Sequence, residues 1–323
     1  SFRITIGSRH CSQPYSASIF NISAMSFGSL SANAIRALNK GAQLGNFYHD
    51  TGEGSISPYH LENGGDLVWE LGSGYFGCRT LDGQFDPVRF AEQAQLPQVK
   101  MIEIKLSQGA KPGHGGILPK HKISEEIARI RGISREHDCV SPSSHSAFSA
   151  PLEMMQFIQQ LRELSQGKPV GFKLCIGQPW QFMSIVKAML QSQIVPDFIV
   201  VDGAEGGTGA APLELINYMG TPLREGLLFV HNTLVGAGLR DQIKVGASGK
   251  IISAPGILPS LYKRLSISPL LVVSLLFQAA HTPKRRQTHL PCLIWNKYAV
   301  ILIKYAFACL SASAPSARLN EAV

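Results

Sequence analysis

The sequence predicts an α/β fold, a TIM-type (β/α)8 barrel of parallel strands whose eighth repeat is missing. Three observations carry this. Short β-rich runs alternate with segments whose apolar residues recur near every 3.6 positions, the order expected of a parallel sheet wrapped by helices. Nearly every β-rich run ends at once in Gly, Ser, Lys or Asp, which in a barrel sets functional groups on the C-terminal face. The first run leads into Ala24-Met-Ser-Phe-Gly-Ser-Leu-Ser31 and not into the G-x-G-x-x-G turn that opens a doubly wound sheet.

Seven strands are predicted in order: Ile19–Ser26, Asn46–Thr51, Val99–Leu106, Asp138–Ser141, Val170–Ile176, Asp197–Asp202 and Ile243–Ala247. Helical spacing falls on Ala32–Leu44, Ser124–Arg131, Leu152–Leu164, Gln181–Gln191 and Thr233–Leu239. An eighth strand and helix should follow Gly249, but from Ile251 to Pro259 the chain holds two prolines and then turns irregular.

Charge and glycine divide the chain at the same place. The net charge of +8 invites a nucleic-acid reading, yet residues 252–323 hold eight Lys/Arg against one acid, leaving 22 basic and 21 acidic side chains in residues 1–251. The basic balance belongs to the tail, so a nucleic-acid groove in the body has no compositional support. The tail also keeps a single glycine, Gly256, of the 31. Two domains are therefore expected: an incomplete barrel over 1–251, and an unrelated basic, glycine-poor tail over 252–323. The tail is either a divergent ending or a stretch read out of frame, and the abrupt loss of glycine and acids favours the second.

The apolar run Ile267–Ala280 is too short to span a bilayer and Tyr298–Ala314 contains Lys304, so no membrane span is expected. No charged segment followed by an apolar core opens the chain, so no secretory signal is visible, and the cysteine spacing that follows is the one expected of a cytoplasmic protein. Six cysteines (Cys11, Cys78, Cys139, Cys175, Cys292 and Cys309) are widely and irregularly spaced, as reduced core thiols are. No zinc spacing occurs among them. Cys292 with His281 and His289 is the nearest approach to a ligand group, and no metal site is assigned.

Three segments carry chemistry: Ala24–Ser31; Met101-Ile-Glu-Ile-Lys-Leu-Ser-Gln-Gly-Ala-Lys-Pro-Gly-His-Gly-Gly-Ile-Leu-Pro119; and Val201-Asp-Gly-Ala-Glu-Gly-Gly-Thr-Gly-Ala-Ala-Pro212. With Asp50-Thr-Gly-Glu-Gly54 and Gly171-Phe-Lys-Leu174 in the same order, the chain resembles the FMN-binding synthase domain of glutamate synthase. It resembles still more the stand-alone FMN-binding proteins of that type, which lack a glutaminase domain. The likeness runs from about Gln13 to about Ile252.

The resemblance implies FMN as cofactor, with Met25, Ser26, Gln108, Lys173, Asp202, Gly206, Gly207, Thr208, Gly246, Ser248 and Gly249 around it. Residue chemistry supports several of these. Lys173 ends an apolar strand, where an unpartnered lysine is rarely buried, and a cation there would favour reduced flavin. Gly206 and Gly207, beside Thr208, would let backbone approach the cofactor closely. Gly246-Ala-Ser-Gly249 follows the seventh strand, where barrels bind phosphate on backbone N–H groups, although a plain glycine turn explains it equally well.

The implied reaction is reductive amination of a 2-oxo acid, 2-oxoglutarate to glutamate, with free or supplied ammonia and a possible electron-donor protein. Glu53, Lys111 and Lys173 fall on its catalytic positions, and Arg79, Lys111, Arg131 and His145 on its substrate positions. Arginine can clamp a carboxylate with two parallel bonds, and lysine can serve as point cation or proton donor. His145 is a candidate general acid. Two departures stand out. Ile117 follows Gly115-Gly116 where the family has glutamine, which puts 2-oxoglutarate itself in question. The family's [3Fe–4S] cysteine run is not supported, since only Cys292 and Cys309 follow the barrel. The rival readings are an inactive fragment with a non-native tail, and another FMN barrel oxidase; the latter should carry a late His-x-x-Arg arrangement, which is not found.

Overall fold

The computed structural model describes residues 3–111, 115–206, 211–212, 214–215, 218–249, 251 and 270–273. The chain opens with an antiparallel pair, β1 (Arg3–Ile6) and β2 (Tyr15–Ser18). Then come β3 (Phe20–Asn21), α1 (Ala32–Gly45), β4 (His49–Asp50), α2 (Pro58–Leu61), β5 (Leu67–Leu71), α3 (Pro87–Ala94) and β6 (Val99–Lys105). A small lobe follows, with β7 (Ile117–Leu118), α4 (Glu125–Arg131) and β8 (Cys139–Val140). The repeats resume with α5 (Pro151–Leu164), β9 (Val170–Leu174), α6 (Pro179–Ser192), β10 (Phe198–Asp202), α7 (Leu223–Gly236), β11 (Lys244–Ser248) and β12 (Leu270–Val273).

Eight parallel strands form one sheet in the order β3-β12-β11-β10-β9-β6-β5-β4. Ile22 then bridges His49, with Asp50 donating to the Ile22 carbonyl at 3.0 Å, so the first and last strands meet and the sheet closes. This is the expected barrel. Helix ends follow their sequence cues: Ser31 caps α1 by accepting from the Ala34 N–H, and Asp86 caps α3 ahead of Pro87 at its first position.

Four expectations change in detail. Asp138–Ser141 is not a barrel strand; its two extended residues pair antiparallel with β7 outside the barrel. The strand in its stead is Leu67–Leu71, overlooked because Glu70 interrupts an otherwise apolar run. Helix α7 begins at Leu223, ten residues before the predicted Thr233. The eighth strand position, expected vacant, is taken by Leu270–Val273, whose backbone pairs in parallel with β11 and β3 and so satisfies both edges.

Alternation along the strands sorts the core into two parts. Leu67, Trp69, Leu71, Ile102, Ile104, Phe172, Leu174, Ile199 and Val201 face the helices in the larger cluster. Tyr48, Val68, Met101, Phe198 and Val200 face inward and pack on Ile6, Tyr15 and Ala17, so the N-terminal hairpin plugs the barrel's lower end. A buried pair, Arg162 Nη2 to Asp197 Oδ2 at 3.0 Å, fastens α5 to the β9–β10 side, and Asp197 also accepts the Ser8 and Val170 N–H groups. Among the described residues no helix is long and apolar enough to cross a membrane. The four described cysteines (Cys11, Cys78, Cys139 and Cys175) are free thiols. Cys292, His281 and His289 lie outside the described residues.

Candidate active site at the barrel mouth

Above the apolar plug, the same inward positions turn ionic. Asp50, Glu70 and Glu103, from three adjacent strands, bring carboxylate oxygens within 4.8 Å of one another. Lys173 Nζ reaches Glu70 Oε2 at 3.0 Å, and Lys105 Nζ lies 4.0 Å from Glu70 Oε1 and 3.3 Å from Glu53 Oε2. Burial alone would push the Lys173 ammonium down, but Glu70, Asp202, Glu103 and Asp50 hold its pKa well above the ordinary value. Burial, with Glu70 beside it, pushes the Asp50 carboxyl up to about 7, and burial with Asp50 raises Glu103 well above its usual range. Acids outnumber cations here, and burial beside one another makes Asp50 and Glu103 hold their protons more tightly than free carboxyls do. Lys173 is thus where the sequence places it, at the end of β9 and buried.

One layer higher, four predicted residues come together. Lys111 is 5% exposed and donates from Nζ to the Gly115 carbonyl at 3.1 Å. Burial and the neighbouring Lys105 lower its pKa, with Glu53 opposing them. Burial would raise Glu53, but Lys105, Lys111 and Arg131 outweigh it and hold the carboxyl below its ordinary value. Arg131 ends α4 and is 6% exposed, so it is not the solvated charge that a basic helix end usually carries. Its Cζ lies 5.2 Å from the Phe76 ring centroid, and the Cζ of Arg79 lies 5.4 Å from the same ring. Arg131 Nη2 donates to the Phe27 carbonyl at 3.2 Å, while the buried Nε of each arginine has no partner. Among the described residues neither guanidinium has a carboxylate within salt-bridge distance. A buried guanidinium and a half-buried one on the same aromatic ring, with no carboxylate in salt-bridge distance among the described residues, suit an anion.

His145 departs from expectation. Its Nδ1 meets the Tyr75 hydroxyl at 3.0 Å and its Nε2 the Lys105 carbonyl at 2.9 Å, while the ring stacks on Phe148. Both nitrogens are committed, so His145 braces the backbone behind Lys105 and offers no free group as an acid.

The predicted cofactor positions interlock through glycine. Gly109, next to Gln108, donates its N–H to Asp202 Oδ2 at 2.8 Å and sits so close to the Gly203 carbonyl that no Cβ fits between. Gly206 N–H donates to the Gly203 carbonyl at 2.7 Å, and Gly249, with φ of +131°, stacks its backbone on Gly203. The Gly203 N–H donates to the Ser248 carbonyl at 2.9 Å, Ser248 Oγ lies 3.3 Å from Ser23 Oγ, and Gly246 pairs in register with Val200. Met25 N–H donates to the Asp50 carbonyl at 3.1 Å and Ser26 Oγ to Ser29 Oγ at 2.9 Å. Loops from β3, β6, β10 and β11 therefore converge. Gly207 and Thr208 lie outside the described residues.

Sequence reasoning missed Asp50, Glu70, Glu103 and Lys105. A signal existed: in Met101-Ile-Glu-Ile-Lys105 and Leu67-Val-Trp-Glu-Leu71 the charges fall on one face of an apolar strand. Charge on the inward face of a barrel strand is costly unless it serves a site.

The fold and this site define a (β/α)8-barrel protein with a cluster of charged side chains at the C-terminal ends of its strands. The match to known proteins is equally direct: the chain belongs to the family defined by the conserved region in glutamate synthase, which it matches over residues 5–261. The glutamate synthase large subunit-like protein YerD of Bacillus subtilis (strain 168) is 42% identical over 258 residues, 79% of this chain and 49% of that protein. The archaeal-type glutamate synthase [NADPH] of Thermotoga neapolitana is 30% identical over 239 residues, 74% of this chain and 44% of that one. The chain thus spans about half the length of these curated relatives. A structure of a flavocytochrome b2 double mutant with sulfite bound superposes with a TM-score of 0.51 at 11% identity, over 96% of this chain and 68% of that one, a likeness of fold alone.

Proposed function

We propose that this chain is the FMN-binding part of a glutamate-synthase-type oxidoreductase that aminates a 2-oxo acid, with 2-oxoglutarate the first candidate and ammonia as nitrogen source. The observation that carries the reading is the pair Arg79 and Arg131 on Phe76, one half-buried and one buried, each with an unpartnered buried Nε and neither with a carboxylate in salt-bridge distance among the described residues. The mouth fits a flavin in two respects. Lys173 keeps a buried positive charge at the floor, and the interlocked Gly109, Gly203, Gly206 and Gly249 bring bare backbone to one place. FMN held there by Met25, Ser26, Gln108, Lys173, Asp202 and Ser248 would supply hydride to the imine carbon.

The remaining steps fall to the chain's own groups. Arg131 and Arg79 bind and orient carboxylate, fixing which face of the 2-oxo carbon is presented. Lys111, made more acidic by burial, holds the proton for the carbonyl oxygen that departs as water. Glu53, kept ionised by its cationic neighbours, takes the proton released by the attacking nitrogen. Ile117, in place of glutamine, leaves the substrate class broader than 2-oxoglutarate. Reducing equivalents come from an electron-donor protein, and the setting is cytoplasmic.

The visible spectrum of the purified chain with added FMN is the test, followed by ammonia-dependent turnover of 2-oxoglutarate and of smaller 2-oxo acids by the chemically reduced protein. Flavin binding with turnover supports the reading; a folded protein that takes up no flavin overturns it in favour of a non-catalytic remnant.

A further inference from the structure

Helix α2 starts with a capping box in which His60 stands where glutamate or glutamine usually does. His60 Nδ1 lies 3.1 Å from the Ser57 backbone nitrogen and 2.8 Å from Ser57 Oγ. A backbone amide can only donate, so Nδ1 is the acceptor and the ring proton sits on Nε2. Nε2 in turn lies 3.1 Å from the Met25 carbonyl oxygen and donates to it. The ring is fully buried, and burial lowers its pKa to about 4, which keeps it neutral.

The chain on either side of that carbonyl is held too. Met25 donates its own N–H to the Asp50 carbonyl, and Gly52 packs against Ser26 N so closely that a Cβ would stand 2.9 Å away. A capping box needs only an acceptor at His60, which a glutamate supplies. Imidazole adds a second polar atom on the opposite edge, and that atom is spent on the loop leaving β3 at the mouth.

We infer that His60 is a positioning residue for the flavin loop: by donating to the Met25 carbonyl it fixes and polarises the Met25–Ser26 peptide, so that the Ser26 N–H would be a stronger donor to a flavin held at the mouth. The inference rests on the flavin reading above, and its test separates the two. In the flavin-free protein with nitrogen-labelled histidine, NMR should find His60 as the neutral Nε2–H tautomer throughout pH 5 to 9. A ring protonated on Nδ1, or one that titrates in this range, overturns the assignment.

Three variants then separate polarisation from packing. His60→Phe keeps the ring but loses both bonds. His60→Gln restores an acceptor and a donor. His49→Phe alters the neighbouring ring, 5.1 Å away, whose nitrogens have no described partner. His60→Phe should weaken FMN binding roughly 10-fold, the worth of about one net hydrogen bond, and shift the flavin's visible band and reduction potential. His60→Gln should recover most of the shift, and His49→Phe should leave band and potential unchanged. Wild-type affinity and spectrum in a folded His60→Phe protein would sink the inference. If the wild type binds no FMN, the flavin reading fails by itself. The Ser26 amide proton shift then decides the rest: it moves in His60→Phe and returns in His60→Gln if His60 polarises the peptide, and stays put if it does not.

Discussion

Lys173 Nζ and Glu70 Oε2 meet at 3.0 Å across the barrel interior, from strands that are not neighbours, with β6 between them. Both side chains are nearly sealed from water, so their attraction is little screened and their desolvation cost is high. Removing one partner should therefore hurt more than removing both. Lys173→Met leaves Glu70 uncompensated and should lower the unfolding free energy by about 3–5 kcal/mol in urea melts. Lys173→Met combined with Glu70→Leu should recover a substantial part of that loss, and additive losses would show that the two do not act as a pair. Flavin reduction should weaken in both.

The carboxyl excess beside that pair makes stability depend on pH with an unusual sign. Asp50 has its pKa raised to about 7 by burial and by Glu70, against an ordinary value near 4 when unfolded. A raised acid binds more protons folded than unfolded. Its contribution is therefore complete below pH 4 and is lost as pH rises through 7. Asp50→Asn should flatten the fall in melting temperature between pH 5 and pH 8. It should also be the more stable protein at pH 8 by a few kcal/mol, since each tenfold change in proton affinity is worth about 1.4 kcal/mol. An unchanged slope would show that Asp50 does not hold the proton.

Arg131 offers a sharper test because stability and function pull apart there. A buried guanidinium with an unpartnered Nε and, among the described residues, no carboxylate in salt-bridge distance costs the fold free energy. Arg131→Met, similar in length and apolar, should leave the melting temperature unchanged or raise it. Under the proposed function it should raise KM for a 2-oxo acid at least 10-fold, while Arg131→Lys recovers part of that because a point charge replaces a fork. A lower melting temperature with unchanged KM would make Arg131 a structural residue of the small lobe.

How much of this was legible in the sequence differs from residue to residue. Lys173 was found because a lysine closing an apolar strand has no cheap place in a core. Lys111, Glu53, Arg79 and Arg131 came from motif likeness, and the Phe76 ring that gathers the two arginines carried no signal of its own. Glu70 and Glu103 were hidden because a carboxylate inside a strand reads as a breaker of the apolar pattern until the sheet is known to close on itself. His145 misled, since chain order does not reveal that Tyr75 and the Lys105 carbonyl occupy both its nitrogens. The strand Leu270–Val273 was obscured by its surroundings, an apolar run in a glycine-poor tail.

The glycines of the two long motifs give the last prediction. The reason for Gly109 lies 94 residues along the chain, where the Gly203 carbonyl fills the space that a Cβ would need. Both atoms belong to backbone, so no rotamer change can relieve the clash, and one loop must move. Moving it also strips Asp202 of the Gly109 N–H that it accepts at 2.8 Å. Gly109→Ala should therefore cost about 1–3 kcal/mol of stability and loosen the β6 and β10 loops together, read as faster amide exchange at both. Gly41→Ala is the matched control. It lies within α1, where an added methyl would meet nothing within 4 Å, and should stabilise by about 0.5–1 kcal/mol through helix propensity. Faster exchange confined to the β6 loop in Gly109→Ala would mean that the two motifs fold side by side without depending on each other.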